Sequence, residues 1–313
     1  MENPFKFGTI VEEEYFTDRV EEVAYICQFV NSANHLILIS PRRFGKSSVV
    51  EKAVKKSGRK HITVKTNPVT GSMDVAFQPS ADGAVLLEDV MTLIEKAHTE
   101  EDRIIVVLDE FQEIRDIAPR LDKKLRAIMQ EQKHINYILL GSQESMMTEI
   151  FENKKSPFYH FGELMRLSKL PRDDFFRYLS ERLAGCYPVN CGELANRILD
   201  YTACHPYYSQ QLASNVWQVG MLQPETPDPV GKAISYIVTS HSLDYERLWM
   251  NFNRTNKWIM QRLASDKPLQ TGEHRTSTIY SALKRLQKDG YVIYTDHYEI
   301  EDPFYRQWIV DGM

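Results

Sequence analysis

Two rhythms divide the chain. Up to about residue 170, short continuous apolar runs alternate with stretches whose apolar positions recur every three or four residues; beyond it the helical period takes over. The runs lie at about Leu36, Ile62, Ile104, Tyr137 and Leu164, and several are too uniformly apolar to have a solvated face. That pattern predicts strands of a parallel sheet with helices on both faces, an α/β fold. Ahead of the first strand, Phe16 to Val30 predicts a helix whose buried face carries Val20, Val23, Ala24, Cys27 and Val30. After Pro171 come helices containing Phe175, Phe176, Tyr178, Leu179 and Leu183, then Gly192 to Tyr201, then His205 to Gly220, closed by the Pro-rich stretch Pro224 to Pro229. The last part predicts a helix at Lys257 to Leu263 and a second at about Ser277 to Lys288, stopped by Gly290. Two short strands, Tyr291 to Thr295 and His297 to Ile300, turn at Asp296. This is the order of a winged helix. The expected division is 1–170 for the core, 171–240 for a helical lid and 241–313 for the winged helix.

Composition narrows the classes. With 313 residues, 42% hydrophobic and 26% charged, the chain has ordinary globular make-up and ample length for several domains, which excludes a small disulfide scaffold or a disordered chain. A net charge of -5 excludes a general polyanion binder, so any nucleic-acid contact must come from a local patch. Cys27, Cys186, Cys191 and Cys204 match no zinc-ligand spacing and read as buried thiols. The acidic start and the lack of a long apolar run predict no signal peptide and no membrane span, hence a cytoplasmic protein.

Chemistry concentrates at the ends of the predicted strands. Leu36 to Ile39 runs into Ser40-Pro41-Arg42-Arg43-Phe44-Gly45-Lys46-Ser47-Ser48, which matches G-x-x-x-x-G-K-[ST] except for Ser40 at the first glycine. A loop of this kind wraps backbone N–H groups around a β-phosphate at a helix N-terminus, with Lys46 reaching the β and γ oxygens and Ser47 ligating magnesium. A plain strand-turn-helix connection is the alternative, and a second element weakens it. Ile104 to Leu108 delivers Asp109 and Glu110, a carboxylate for the magnesium shell and one to polarise a water for attack on a γ-phosphate. The third strand ends in Gly141-Ser142-Gln143, where Ser142 or Gln143 would sense the γ-phosphate or orient the water, or Ser142 would simply cap the next helix.

These residues resemble the archaeal-type P-loop ATPases of the AAA+/STAND-like group over nearly the whole length. The resemblance is carried by Asn3-Pro4-Phe5, Phe16-Thr17-Asp18-Arg19 with Glu21, the loop from Ser40 to Ser47, and Leu108 to Ile114 with its Asp-Glu-Phe-Gln-Glu. Gly141-Ser142, Ser156 to Tyr159, His205-Pro206-Tyr207-Tyr208 and Asp302-Pro303-Phe304 complete it. It implies ATP and magnesium as ligands, Ser40 as a familiar variant of the first glycine, and an entry helix near the adenine. It also sets Pro206 against the adenine or ribose with His205 nearby. Pro206 also suits the first turn of any helix, with His205 as a cap or core group.

The chain departs from that pattern in two places. Lys46 and Asp109 are only 63 residues apart, and Thr66 to Gly83 reads as a loop where relatives carry extra helices. His160-Phe161-Gly162 stands where many relatives have an arginine that completes a neighbour's site; Arg166 is the nearest substitute, more simply a surface strand residue. The expected function is an ATP-hydrolysing switch whose winged helix contacts duplex DNA or a protein; a protein partner or a homo-oligomer is also expected. The alternative is a DNA-binding or scaffold protein stabilised by nucleotide with little turnover. Arg275, Lys284, Arg285 and Lys288 favour DNA, whereas Asp266, Glu273, Asp289, Asp296, Glu299, Glu301, Asp302 and Asp311 weigh against it.

Overall fold

The computed structural model describes residues 2–9, 15–17, 19–32, 34–67, 72–74, 91–96, 103–117, 120–270 and 275–312. They form two compact units, residues 19–168 and residues 1–18 with 169–313.

The first unit is built on a six-stranded sheet in the order β3-β2-β4-β5-β1-β6. Its strands are β1 (Leu36–Ile39), β2 (His61–Asn67), β3 (Ser72–Asp74), β4 (Ile104–Asp109), β5 (Ile135–Gly141) and β6 (Glu163–Arg166). All five strands expected from the apolar runs are present and pair in parallel, because β1, β4 and β5 bury nearly every side chain on both faces. The stretch from Thr66 is not wholly loop: Thr66 and Asn67 continue β2, and Ser72–Asp74 returns antiparallel to it. The rest of Thr66 to Gly83 lies outside the described residues, and residues 91–96 are helical.

Helices α1 (Val20–Ser32) and α2 (Lys46–Ser57) pack on each other. The buried stripe of α1 is Val23, Ile26 and Val30, while Val20, expected on that face, is 71% exposed, and Ala24 is also exposed. The helix starts at Val20, so its first residue sits beyond the core. Arg19 precedes it with positive φ and only 3% exposure, donating to Glu22 Oε1 at 2.6 Å and to the Ser168 carbonyl at 2.5 Å. That guanidinium fixes where the entry helix meets the exit from β6.

The second unit joins the amino-terminal residues to all that follows Ser168, two residues from the expected boundary at 170. Phe5 is buried edge-on against Tyr178 and Trp217, with ring centroids 6.5 and 6.4 Å away. Asn3 Nδ2 donates to the carbonyl and hydroxyl of Ser214 at 3.1 and 2.9 Å. This accounts for Asn3-Pro4-Phe5 as a packing motif of this unit. No break occurs at residue 240, because Pro229–Asn251 is one 23-residue helix that buries Val230, Ala233, Ile237, Val238 and Tyr245 along its length. The predicted lid and the terminal elements thereby share one hydrophobic core.

The terminal elements follow the expected order: α10 (Arg254–Ala264), α11 (Thr276–Lys288), the antiparallel hairpin β7 (Val292–Tyr294) with β8 (Tyr298–Ile300), and a final helix Pro303–Asp311. Helices at Pro206, Pro229 and Pro303 share one start, an accepting side chain followed by proline at the first helical position. Proline lacks the N–H that would have no partner there and presets the helical φ. The four cysteines are free and half-buried rather than buried as expected. Among the described residues no helix is long and apolar enough to cross a membrane.

Candidate nucleotide site

The sheet order brings the ends of β1, β4 and β5 together. β5 lies between β1 and β4, so its last residues stand beside both the loop after β1 and the carboxylates after β4. Ser40 N–H donates to the Gly141 carbonyl at 3.2 Å, continuing the β1–β5 ladder into the loop. The Ser40 side chain is accommodated because it is buried and its hydroxyl donates to the Pro41 carbonyl at 3.1 Å.

The loop then curls through left-handed Arg43, at φ 65°, and Gly45, at φ 87°. Left-handed turns of this kind make concave surfaces of backbone N–H groups, and a side chain at Gly45 would be strained whatever the space. Gly45 accepts from Val49 N–H at 3.0 Å and starts α2. Phe44 is buried and anchors the loop, whereas Arg42 and Arg43 are exposed; Ser47 and Ser48, in the first turn of α2, are half-buried.

Lys46 is 6% exposed and its Nζ donates to the carbonyls of Ser40 and Pro41 at 2.9 and 3.1 Å. Burial pushes its ammonium down from the ordinary value, Glu110 and Asp109 oppose that, and Arg42 adds to it. Ser47 Oγ donates to Asp109 Oδ2 at 3.2 Å, and Asp109 Oδ1 accepts from Glu110 N–H at 3.0 Å. Burial and then the neighbouring Glu110 push the Asp109 carboxyl up, against Lys46 and these hydrogen bonds. A hydroxyl and a carboxylate oxygen set side by side, beside a buried cation at a helix N-terminus, are the donor set of a phosphate-bound magnesium, so the residues fit both ATP and the metal.

Glu110 has φ 53°, an uncommon conformation for a residue with a long side chain, and the chain turns there into the single turn Phe111–Glu113. Its Oε2 accepts from Ser142 Oγ at 2.6 Å and from Gln112 Nε2 at 2.5 Å. Gln112 is fully buried, and its Oε1 accepts from Ser142 N–H at 3.3 Å. Ser142 does not cap the following helix, Glu144–Phe151: Gln143 is its first flanking residue and makes no side-chain cap. Gln143 Nε2 instead donates to Glu113 Oε1 at 3.5 Å. Gln112 is not among the candidate residues read from the sequence, because its burial depends on the left-handed turn at Glu110.

Two further candidates belong to other elements. Arg166, at the end of β6, is half exposed and pairs with Glu144 and Glu152 at 3.2 and 2.9 Å. Pro206 belongs to the second unit, where it opens the helix Pro206–Leu222 with His205 as cap, its Nδ1 accepting from Tyr207 N–H at 3.2 Å.

Residues 32–165 match the model of the AAA domain family. A search of curated proteins found no match. Among solved structures, the Walker-type ATPase of Pyrococcus abyssi superposes with a TM-score of 0.72 at 16% identity, over 98% of this chain and 99% of that one. The ADP form of Aeropyrum pernix ORC2 gives 0.59 at 14%, covering 99% and 97%, and Aeropyrum pernix ORC1 in complex with DNA gives 0.55 at 12%, covering 96% and 94%. At such identities the likeness is one of fold. Together with the loop and strand-end motifs, the family match over residues 32–165 and this likeness bear out the P-loop AAA-type fold read from the sequence.

Proposed function

We propose that the protein binds and hydrolyses ATP and acts as a nucleotide-dependent switch. The observation that carries this reading is the convergence of Lys46, Ser47, Asp109, Glu110 and Ser142 from three adjacent strand ends. Lys46 draws on its buried positive charge to bind the β and γ oxygens, exchanging its two loop carbonyls for them. Ser47 and Asp109 would hold magnesium, which would supply charge neutralisation for the transferring phosphoryl group. Glu110 accepts a proton from the attacking water, and Ser142 and Gln112 hold its carboxylate in place. A site that only binds nucleotide has no need of Glu110, which favours turnover over the scaffold reading.

The test is thermal stability and phosphate release. ATP with magnesium is expected to raise the melting temperature of the wild type, since a ligand bound only by the folded state stabilises it by mass action. Lys46→Ala is expected to abolish both the shift and the release. Equal shifts in the two proteins would put the nucleotide elsewhere.

For the second unit, the order of α10, α11 and the hairpin supports a winged helix that contacts DNA through α11. Arg275, Lys284, Arg285 and Lys288 are all exposed, and one relative of the same fold is known in complex with DNA.

A further inference from the structure

Helix α11 is sharply two-faced. Ile279, Ala282, Leu283 and Leu286 are buried, while Tyr280, Ser281, Lys284, Arg285 and Lys288 are exposed. From Arg275 to Lys288 the sequence contains no acidic residue. On this cationic face Tyr280 is 53% exposed, and Lys284 Nζ lies 4.7 Å from its ring centroid.

The hairpin adds two more rings. Its register pairs Val292 with Ile300 and Tyr294 with Tyr298, and the period of two puts all four side chains on one face. Val292 and Ile300 are buried in the core; one step nearer the turn, Tyr298 is half-buried against its edge and Tyr294 is exposed. Tyr294 is 51% exposed and its ring centroid is 4.9 Å from that of Tyr298. Burial first, then Tyr280 and Tyr294, push the Tyr298 phenol up, with Lys284 opposing, as expected where the three rings and the ammonium form one cluster. Among the described residues none of these three hydroxyls is in a hydrogen bond with the protein.

Cations alone serve a phosphate backbone; exposed rings among them serve base faces. In a duplex those faces are stacked inside, and two rows of phosphate would approach a surface flanked by exposed Asp289 and Asp296. An unpaired strand brings one row of phosphates and leaves its bases free to stack. We propose that Tyr280, Tyr294 and Tyr298, with Lys284 and Arg285, form a stacking surface for DNA with unpaired bases. This inference rests on the reading of the second unit as a DNA-contact module and narrows its ligand.

The experiment is fluorescence anisotropy of the full chain with a labelled thymidine oligonucleotide, single-stranded or annealed to its complement. Single-strand binding is expected to exceed duplex binding. Tyr280→Ala with Tyr294→Ala should weaken it about tenfold or more, the span of two lost stacking contacts, while duplex affinity and melting temperature hold. Tyr280→Phe with Tyr294→Phe, which keeps the ring faces, should restore single-strand binding. Lys284→Glu with Arg285→Glu should weaken both DNAs and flatten the salt dependence. If this charge variant loses binding while the alanine pair does not, stacking is overturned and DNA contact stands. If the wild type binds neither DNA at low salt, or the charge variant binds as well as wild type, the DNA-contact reading itself falls. Tighter binding of the matching uridine RNA would overturn the assignment to DNA.

Discussion

The chain twice ends a strand in two adjacent carboxylates followed closely by a phenylalanine: Asp109-Glu110 with Phe111 after β4, and Glu301-Asp302 with Phe304 after β8. Both phenylalanines are fully buried. The carboxylates, however, are used differently. Asp109 and Glu110 face groups that side chains can exchange for a ligand, the hydroxyls of Ser47 and Ser142 and the amide of Gln112. Glu301 and Asp302 are committed to the fold. Tyr208 donates to Glu301 Oε2 at 2.5 Å, buried His205 stands 3.6 Å from Oε1, and Asp302 Oδ1 accepts from the N–H groups of Phe304 and Tyr305 at 2.8 and 3.1 Å. Proline makes the difference. Pro303 presets a helix start and consumes Asp302 as its cap, whereas Glu110 takes a left-handed backbone and leaves its carboxylate to side chains. The first pair is therefore expected to govern chemistry with little effect on folding, and the second to do the reverse.

The largest expected break lies at Glu110. Glu110→Gln keeps shape and hydrogen-bonding atoms while removing the proton acceptor, so turnover should fall by about two to four orders of magnitude, the span typical of losing a general base. ATP affinity should stay near wild type, because the lost interaction belongs to the transition state. Asp109→Asn is the companion: it should weaken magnesium-dependent binding together with turnover. Single-turnover phosphate release and nucleotide titration separate the two. Wild-type turnover in Glu110→Gln would make that carboxylate a passive strand end, and the switch mechanism would need another residue or have to be given up for the scaffold reading.

At the second pair the expected loss is in stability. Tyr208→Phe removes the donor to Glu301, whose side chain is 10% exposed, and leaves Lys46, Ser47, Asp109 and Glu110 unchanged; leaving such a largely desolvated carboxylate oxygen without its donor costs about 1–3 kcal/mol. Thermal melting should show this as a drop of several degrees, and ATP-induced stabilisation should be unchanged. A melting temperature equal to that of wild type would remove Glu301 from the fold's supports.

Which features could be read in advance follows from the same contrast. The central strands β1, β4 and β5 were legible because a strand buried on both faces must be apolar throughout, and the phosphate loop because its glycine and lysine are demanded by chemistry. Gln112 was hidden: its buried position depends on the left-handed turn at Glu110, which local sequence does not announce in a residue with a long side chain. The boundary at residue 240 failed because Pro224 to Pro229 marks a helix start, not a domain end. The attachment of residues 2–9 to the second unit was likewise invisible, since Phe5 finds Tyr178 and Trp217 only through long-range packing.

The smallest expected effect is also the sharpest test of the second pair. Burial, and then neighbouring Glu301, push the Asp302 carboxyl up to about 6, although the N–H groups of Tyr305 and Phe304 and the Tyr245 hydroxyl hold it down in part. The folded chain therefore binds this proton more tightly than the unfolded chain. The stability so contributed is fully present below the ordinary value of 3.8 and is lost as pH rises through about 6. Asp302→Asn keeps an oxygen for the helix cap and removes the titration. Relative to that variant, wild type should gain about 1 kcal/mol on going from about pH 7 to about pH 5. The variant should melt at or above wild type at the upper pH, because its cap carries no buried charge. Denaturant titrations of both proteins across this range isolate the group, since every other carboxylate is common to the two. Parallel pH profiles would mean that Asp302 ionises as a solvated aspartate does, and that its cap is made at no electrostatic cost.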